Sequence, residues 1–285
     1  MSFRADSSLG KANELLRRMK ARQWERAGRV PHAYGYNAAR WFALERDVER
    51  GDERYGWDAG GFDERAVEYP WIFARMKTLT QPGDHILDAG SILNHSRVLA
   101  WWRAAKLPPV SIVTLSHEGR AEVSNDVRYE FADLRRLPYR DEWFSAVLCI
   151  STIEHVGMDN TGYGATVPAS SNPGAEAVIA LRELHRVTRA RGALLLSVPF
   201  GRSSNREWFR VFDEPALDQL TATPGWTIAR RQFFRAQREG WRECTAALAA
   251  DAGYNDPAAG PDGQTAPAWV GGAEAVALVE LRRGD

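Results

Sequence analysis

With two cysteines in 285 residues, Cys149 and Cys244, the chain lacks both a disulfide framework and any cysteine pair at metal-ligand spacing. Cys149 stands in an apolar run, where a small buried side chain is its expected role, and such sparing use of cysteine suits a reducing, cytoplasmic setting. Net charge is missing as well. Lys plus Arg and Asp plus Glu both number 37, so no global field favours nucleic acid or an anionic membrane. No apolar run is long enough to span a bilayer, and the N-terminus has no apolar core of the kind a signal peptide needs. What remains is ordinary globular composition, 44% hydrophobic and 26% charged, with enough apolar residues for a sizeable core.

Residues 1–60 are rich in Arg, Trp and Tyr and are read as an N-terminal helical appendage to a main domain over 61–285. Leu9 to Lys20 spaces apolar groups as on a helix with basic residues around them, which suits packing on the domain or on a second copy in a homo-oligomer. A basic surface for an anionic substrate is the alternative reading of that helix. Tyr36, in Tyr34-Gly35-Tyr36-Asn37, can line a substrate pocket, and Trp41-Phe42 can do the same or fill the core. The glycines between Gly51 and Gly61 mark the seam. A helix is expected to start at or just after Pro70, where a missing N–H costs nothing.

From Pro82-Gly83 onward the pattern alternates. Strands are expected at His85 to Ala89, Ser111 to Leu115, Val127 to Phe131, Ser145 to Ile150 and Ala193 to Val198, with helical segments between several of them. That alternation predicts an α/β fold, a doubly wound parallel sheet, with ligands at the carboxyl ends of the strands. The first such end, Asp88-Ala89-Gly90-Ser91-Ile92-Leu93-Asn94-His95-Ser96, carries a strand into a helix whose first turn can receive a ligand. After the second strand, Glu118 in Ser116-His117-Glu118 can bind a vicinal diol or favour a helix dipole. It falls later than the about twenty-residue separation of a dinucleotide fingerprint. Asp133, after the third strand, can accept from an exocyclic amine or close an Asx turn.

These blocks occur in a recognisable order. Asp88-x-Gly90, Asp133-Leu134 with Leu137-Pro138 and Phe144, Ile153-Glu154-His155-Val156, and Leu181 to Val187 followed by Arg191-Gly192 and a strand ending in Val198-Pro199 resemble the successive motifs of class I S-adenosylmethionine-dependent methyltransferases. The resemblance covers about residues 80–200 and is closest to the type 11, small-molecule branch. It implies a Rossmann-like, mostly parallel seven-stranded sheet with a terminal antiparallel hairpin, supplied here by Gly225 to Phe234 and Ala275 to Leu281. It also implies S-adenosylmethionine as cofactor. Asp88 and Gly90 would approach its amino-acid end, Ser116 to Glu118 its ribose, Asp133 and Leu134 its adenine, and Ile150 to Ile153, Ser151 among them, its far wall.

One departure is evident. The family's loop is Asp-x-Gly-x-Gly-x-Gly, and only the first of those glycines, Gly90, is kept. Ser91, Asn94 and His95 would therefore serve the cofactor with side chains where bare backbone is usual.

Methyl transfer to a hydroxyl profits from a base, and His155 has suitable chemistry; packing beside the cofactor is its other role. Asn160 and Tyr163 lie in a long polar loop, of the kind that forms lids, between Met158 and Gly174. Arg202, Arg206 and Trp208 follow the fifth strand, where polar groups and aromatic faces together suit a sugar. Residues 251–273, rich in Ala, Gly, Pro and Asp, read as a flexible excursion. No metal site is expected, nor a nucleic-acid or membrane partner. The function read from the chain is O-methylation of a small polar acceptor, a saccharide or specialised metabolite. Two alternatives stand beside it: a catalytically inactive binding module, and a nicotinamide-dependent oxidoreductase, against which the missing Gly-x-Gly-x-x-Gly counts.

Overall fold

A computed structural model describes residues 38–116, 124–165, 167–256 and 263–285. The Leu9 to Lys20 segment, Tyr36 and Glu118 lie outside the described residues. In chain order the elements are α1 (Ala38–Arg50), α2 (Arg65–Leu79), β1 (Ile86–Ala89), α3 (Ser96–Ala104), β2 (Val110–Thr114), β3 (Val127–Phe131) and β4 (Phe144–Ile150). They continue with α4 (Pro173–Val187), β5 (Thr188–Pro199), β6 (Ser204–Asn205), β7 (Arg210–Val211), α5 (Glu214–Thr221), β8 (Trp226–Gln237), β9 (Gly240–Cys244), α6 (Ala246–Ala249) and β10 (Ala275–Arg283).

The main sheet has eight strands in the order β3-β2-β1-β4-β5-β10-β8-β9. From β3 to β5 every pairing is parallel, and β10 enters antiparallel between β5 and β8. This is the methyltransferase-type arrangement the motifs imply, with one addition. Gly240–Cys244 pairs antiparallel with β8 and makes an eighth strand that the sequence pattern did not reveal, because Gly-Trp-Arg-Glu-Cys has no clean apolar alternation.

Successive strand residues feed opposite faces. Ile86, Ala146, Leu148 and Leu195 pack with Trp71, Phe73, Trp101 and Trp102 of α2 and α3, whereas Leu87, Val147, Cys149 and Leu194 pack with Leu181, Leu184 and Leu217 of α4 and α5. Cys149 is thus a core residue. Trp41, Leu44 and Val48 of α1 join the first face, and so do Tyr55 and Ala59. The core role of Trp41 is the one the structure supports.

The start of α2 differs from the expectation. The helix begins at Arg65, and Pro70 lies inside it. Without an N–H, Pro70 leaves the Ala66 carbonyl without its usual intrahelical donor, but Ala66 to Phe73 are all buried, and that apolar burial keeps the turn helical. The segment after α6 differs too. Where a flexible excursion is expected, the described residues are pinned: Asn255 Nδ2 donates to the carbonyls of Pro267 and Val270, each at 2.9 Å, and Tyr254 and Ala273 form a bridge.

The strand β9 is held from outside by the α1–α2 connection. Trp241 N donates to Gly56 O at 2.8 Å, and its Nε1 donates to Phe62 O at 3.1 Å, with the ring buried in the core. Trp241→Ala removes both the buried ring and an anchored donor. It is expected to lower unfolding free energy by about 3–5 kcal/mol, measured by urea denaturation.

Candidate active site

Strands β1 to β3 step one way from the centre of the sheet and β4 starts the other way, so the loops after β1 and β4 part at the switch point and leave a crevice there. A cleft of about 390 Å³ opens at this place. Its walls come from the β1 turn (Gly90, Ser91, Ile92, Asn94, His95), the end of β2 (Val113 to Ser116), the loop after β3 (Asp133, Leu134, Arg135) and the segment after β4 (Ile150 to Thr152, His155 to Met158). That size suits a small molecule.

The β1 turn is built by its acid. Asp88 is fully buried, and its carboxylate accepts the backbone N–H of Ile92 at 3.2 Å and of Leu93 at 2.7 Å. It braces the turn and does not line the cleft. Gly90 has φ +128°, and a Cβ there would lie 2.0 Å from Thr152 Oγ1, so glycine is required on both grounds. Ser91 takes the left-handed conformation at φ +66°, uncommon for a residue with a side chain. Where the usual loop has its second glycine, Ile92 is buried and its carbonyl accepts from Tyr69 Oη at 3.0 Å. Asn94 Nδ2 donates to Tyr129 Oη at 3.3 Å. His95 caps α3, its Nδ1 accepting from Arg97 N at 3.2 Å, and its ring lies 4.4 Å from that of Trp41. Ser91, Asn94 and His95 all face the cleft.

On the opposite wall, Ser116 Oγ donates to the carbonyl of Tyr163, which ties the β2 end to the loop after β4. Asp133 lines the cleft, but its carboxylate is gripped by Arg135: Nη2 donates to Oδ2 at 2.6 Å, and the backbone N–H donates to Oδ1 at 2.9 Å. Burial pushes this carboxyl's pKa up, and the Arg135 bonds more than reverse it, leaving it below its ordinary value. Arg135 Nη1 also donates to Glu176 Oε2 at 2.6 Å. Leu134 and Val113 supply apolar wall beside this pair.

After β4, Ser151 is again left-handed, at φ +43°. A short 3-10 turn over Ile153–His155 then carries His155 to the cleft. His155 Nδ1 lies 2.8 Å from Trp208 O, a carbonyl that can only accept, which fixes the proton on Nδ1 and leaves Nε2 as the acceptor. The ring stacks on Trp208 at 5.1 Å and meets Tyr163 edge-on at 5.6 Å. Burial lowers its pKa to about 4, with the Trp208 carbonyl opposing the shift, so the imidazole is neutral at physiological pH. Neighbouring Glu154 points into the protein, where burial raises its pKa well above the ordinary carboxylate range.

The structure therefore brings Gly90, Ser91, Asn94, His95, Ser116, Asp133, Leu134, Ser151, His155, Asn160 and Tyr163 to one cleft. Asn160 serves it indirectly as well, donating from Nδ2 to the carbonyls of His155 at 2.9 Å and Met158 at 3.1 Å. Trp208 stands behind His155, with Nε1 donating to Asp256 Oδ2 at 3.0 Å. Arg202 and Arg206 lie away from the cleft walls. Arg202 Nη2 donates to Thr265 O at 2.8 Å, and Arg206 sits in the tight turn between β6 and β7. Among the described residues no group of His, Cys, Asp and Glu could hold a metal, and no helix is long and apolar enough to cross a membrane.

Sequence reasoning missed what α2 contributes to the site. Arg65 and Tyr69 line the cleft from this helix, and Glu68 lies buried between them. A signal was available: Arg65 and Glu68 are charged residues in a stretch that is otherwise largely apolar, at a spacing that puts them on one helix face.

Residues 109–196 match the family described as "Methyltransferase domain", which bears out the resemblance drawn from the motifs over that stretch. No curated protein matches the chain. Among solved structures, the cyclase SpnF is 18% identical over 82% of this chain and 84% of that one, with a TM-score of 0.48. A SAM-dependent methyltransferase from Methanosarcina mazei is 12% identical over 73% of this chain and 95% of its own, with a TM-score of 0.46. An S-adenosylmethionine-dependent methyltransferase from Mesorhizobium loti is 14% identical over 74% and 97%, with a TM-score of 0.43.

Two outcomes are expected. Gly90→Ala puts a methyl against Thr152 and strains a positive φ, and a loss of about 1–3 kcal/mol in urea unfolding checks it. His155 has a folded pKa of about 4, below its ordinary 6.5. The unfolded chain then binds the extra proton first, so this residue's contribution is intact above about pH 6.5 and is lost as pH falls towards 4. His155→Asn should flatten that part of the stability–pH curve relative to the wild type.

Proposed function

We propose that the chain is an S-adenosylmethionine-dependent methyltransferase that methylates a hydroxyl of a small polar acceptor, with a saccharide or specialised metabolite as the acceptor class. The observation that carries this reading is a neutral, tautomer-fixed His155 in the same cleft as the β1 turn and the β2 end. The cofactor's charge pattern fits the residues present. Arg65 offers a cation, and Ser91, Asn94 and His95 offer polar side chains, towards an amino-acid end. Thr114 and Ser116 suit a ribose, and Val113, Leu134 and Ile150 suit the faces of an adenine. The adenine amine would find Asp133 already bonded to Arg135 and would share its remaining lone pairs.

When bound, the cofactor supplies an electrophilic methyl on a sulfonium, and the rest is positioning, an effect worth up to about 7–11 kcal/mol. His155 Nε2 accepts the hydroxyl hydrogen bond and orients a lone pair of the oxygen for in-line attack. As that oxygen gains its methyl its proton becomes strongly acidic, so a weak base takes it readily. Trp208 and Tyr163 shield the imidazole, and Tyr163, which lines the cleft, offers an aromatic face to the acceptor. Asn160 holds the His155 turn. The N-terminal extension is the proposed surface for a second copy.

Titration with S-adenosylhomocysteine is expected to give saturable heat, and its absence would favour the inactive binding module. His155→Ala should lower kcat by about 10²- to 10⁴-fold while affinity for S-adenosylhomocysteine stays within a few-fold. The wild-type kcat should hold down to about pH 5, because the base titrates near 4.

A further inference from the structure

At the centre of the polar network under the cleft lies a carboxylate that the transfer step itself does not use. Glu68 is fully buried in α2. Its Oε1 accepts from Ser151 Oγ at 2.6 Å and from Ser197 Oγ at 2.6 Å, and its Oε2 accepts from the Arg65 guanidinium. Ser197 Oγ accepts in turn from Ser151 N at 3.0 Å. Both serine hydroxyls give their single proton to Glu68, so an acceptor with two lone pairs on one oxygen and charge to spare for Arg65 is what the site demands.

The groups that Glu68 holds lead directly to the cleft. Ser151 keeps a left-handed backbone that its side chain disfavours. The next residue, Thr152, packs against Gly90 of the β1 turn, and the 3-10 turn that begins at Ile153 carries His155. The residue after Glu68, Tyr69, pins the other side of the β1 turn through the Ile92 carbonyl. A change in Ser151 would therefore move the β1 turn and the His155 turn relative to each other.

We infer that Glu68 is a positioning residue of the transfer site: it locks Ser151 in its left-handed conformation and Arg65 at the cleft, and thereby aligns the β1 turn with the His155 turn. This rests on the function proposed above. The fully satisfied network makes the alignment rigid, since each hydrogen bond in it strengthens its neighbours in a low-dielectric interior.

The test is calorimetric affinity for S-adenosylhomocysteine in the full chain, with thermal melting alongside. Glu68→Gln keeps an oxygen for the serines but turns an amide towards Arg65, and Ser197→Ala removes one arm while leaving the Arg65 pair. Each is expected to weaken binding about tenfold or more, the loss that removing the outer partner of a metal ligand causes serving as the guide. Adding Ser151→Gly to Ser197→Ala should recover part of the loss, because glycine takes a left-handed φ unaided; a merely structural role for the network would show no such rescue. Affinity within twofold of wild type in Ser197→Ala, or a loss that Ser151→Gly leaves untouched, would overturn the inference. Should Glu68→Gln fail to fold, the Ser197 and Ser151 variants decide alone. No heat from the wild type would overturn the proposed function, and this inference with it, whereas heat from the wild type with unchanged variants overturns the inference only.

Discussion

The turn after β1 must reverse the chain at the carboxyl edge of the sheet with one glycine, and the rest of the cleft follows from how it does so. A loop with three glycines can bring bare backbone to a ligand at no steric cost. Here Ile92 and Asn94 occupy the later positions, and the turn is held from three sides. Asp88 takes two of its amides from below, Tyr69 takes the Ile92 carbonyl from α2, and Thr152, just after β4, packs on Gly90. Rigidity that glycine geometry would have allowed is supplied by side chains. That explains why a helix preceding the first strand is drawn into the cleft wall.

Much of the fold was legible in the sequence, because its signal is local. The apolar run Ser145 to Ile150 reads as a strand, and the structure buries β4 along its whole length, as befits a central strand in a sheet covered on both faces. Gly90, where a Cβ would meet Thr152, carries its own steric reason. The strand β9 and the early start of α2 were not legible. Each depends on a tertiary partner: the Gly56–Phe62 connection for Trp241, and the first core face for the turn around Pro70.

The candidate site divides along the same line. His155, Ser91 and Asp133 follow strand ends and could be read from topology alone. Arg65 and Tyr69 reach the cleft, with Glu68 buried beneath it, only because α2 crosses under β4 and β5, a relation no periodicity encodes. Sequence also could not say which polar groups would be spent on the protein itself. Asp88 and Asp133 look alike as strand-end acids, yet one is consumed by backbone amides and the other by a guanidinium. Nor could sequence say that His155 would be enclosed by Trp208 and Tyr163, a burial that takes its pKa well below the ordinary histidine value.

The clasp on β9 has a consequence for how copies of this chain meet in solution. A sheet of this kind normally ends in two open rows of backbone donors and acceptors, each a template for adding a foreign strand. On the β9 side the row is interrupted by the chain's own connection: Trp241 N is taken by Gly56, and the backbone at Gly240 is pressed so closely on Trp57 that a Cβ would lie 2.0 Å from its carbonyl oxygen. At the other end, β3 presents Arg128 and Glu130 to solvent, charges that oppose the docking of an apolar strand. Edge-to-edge pairing of sheets is thus discouraged at both ends by different means, one steric and one electrostatic.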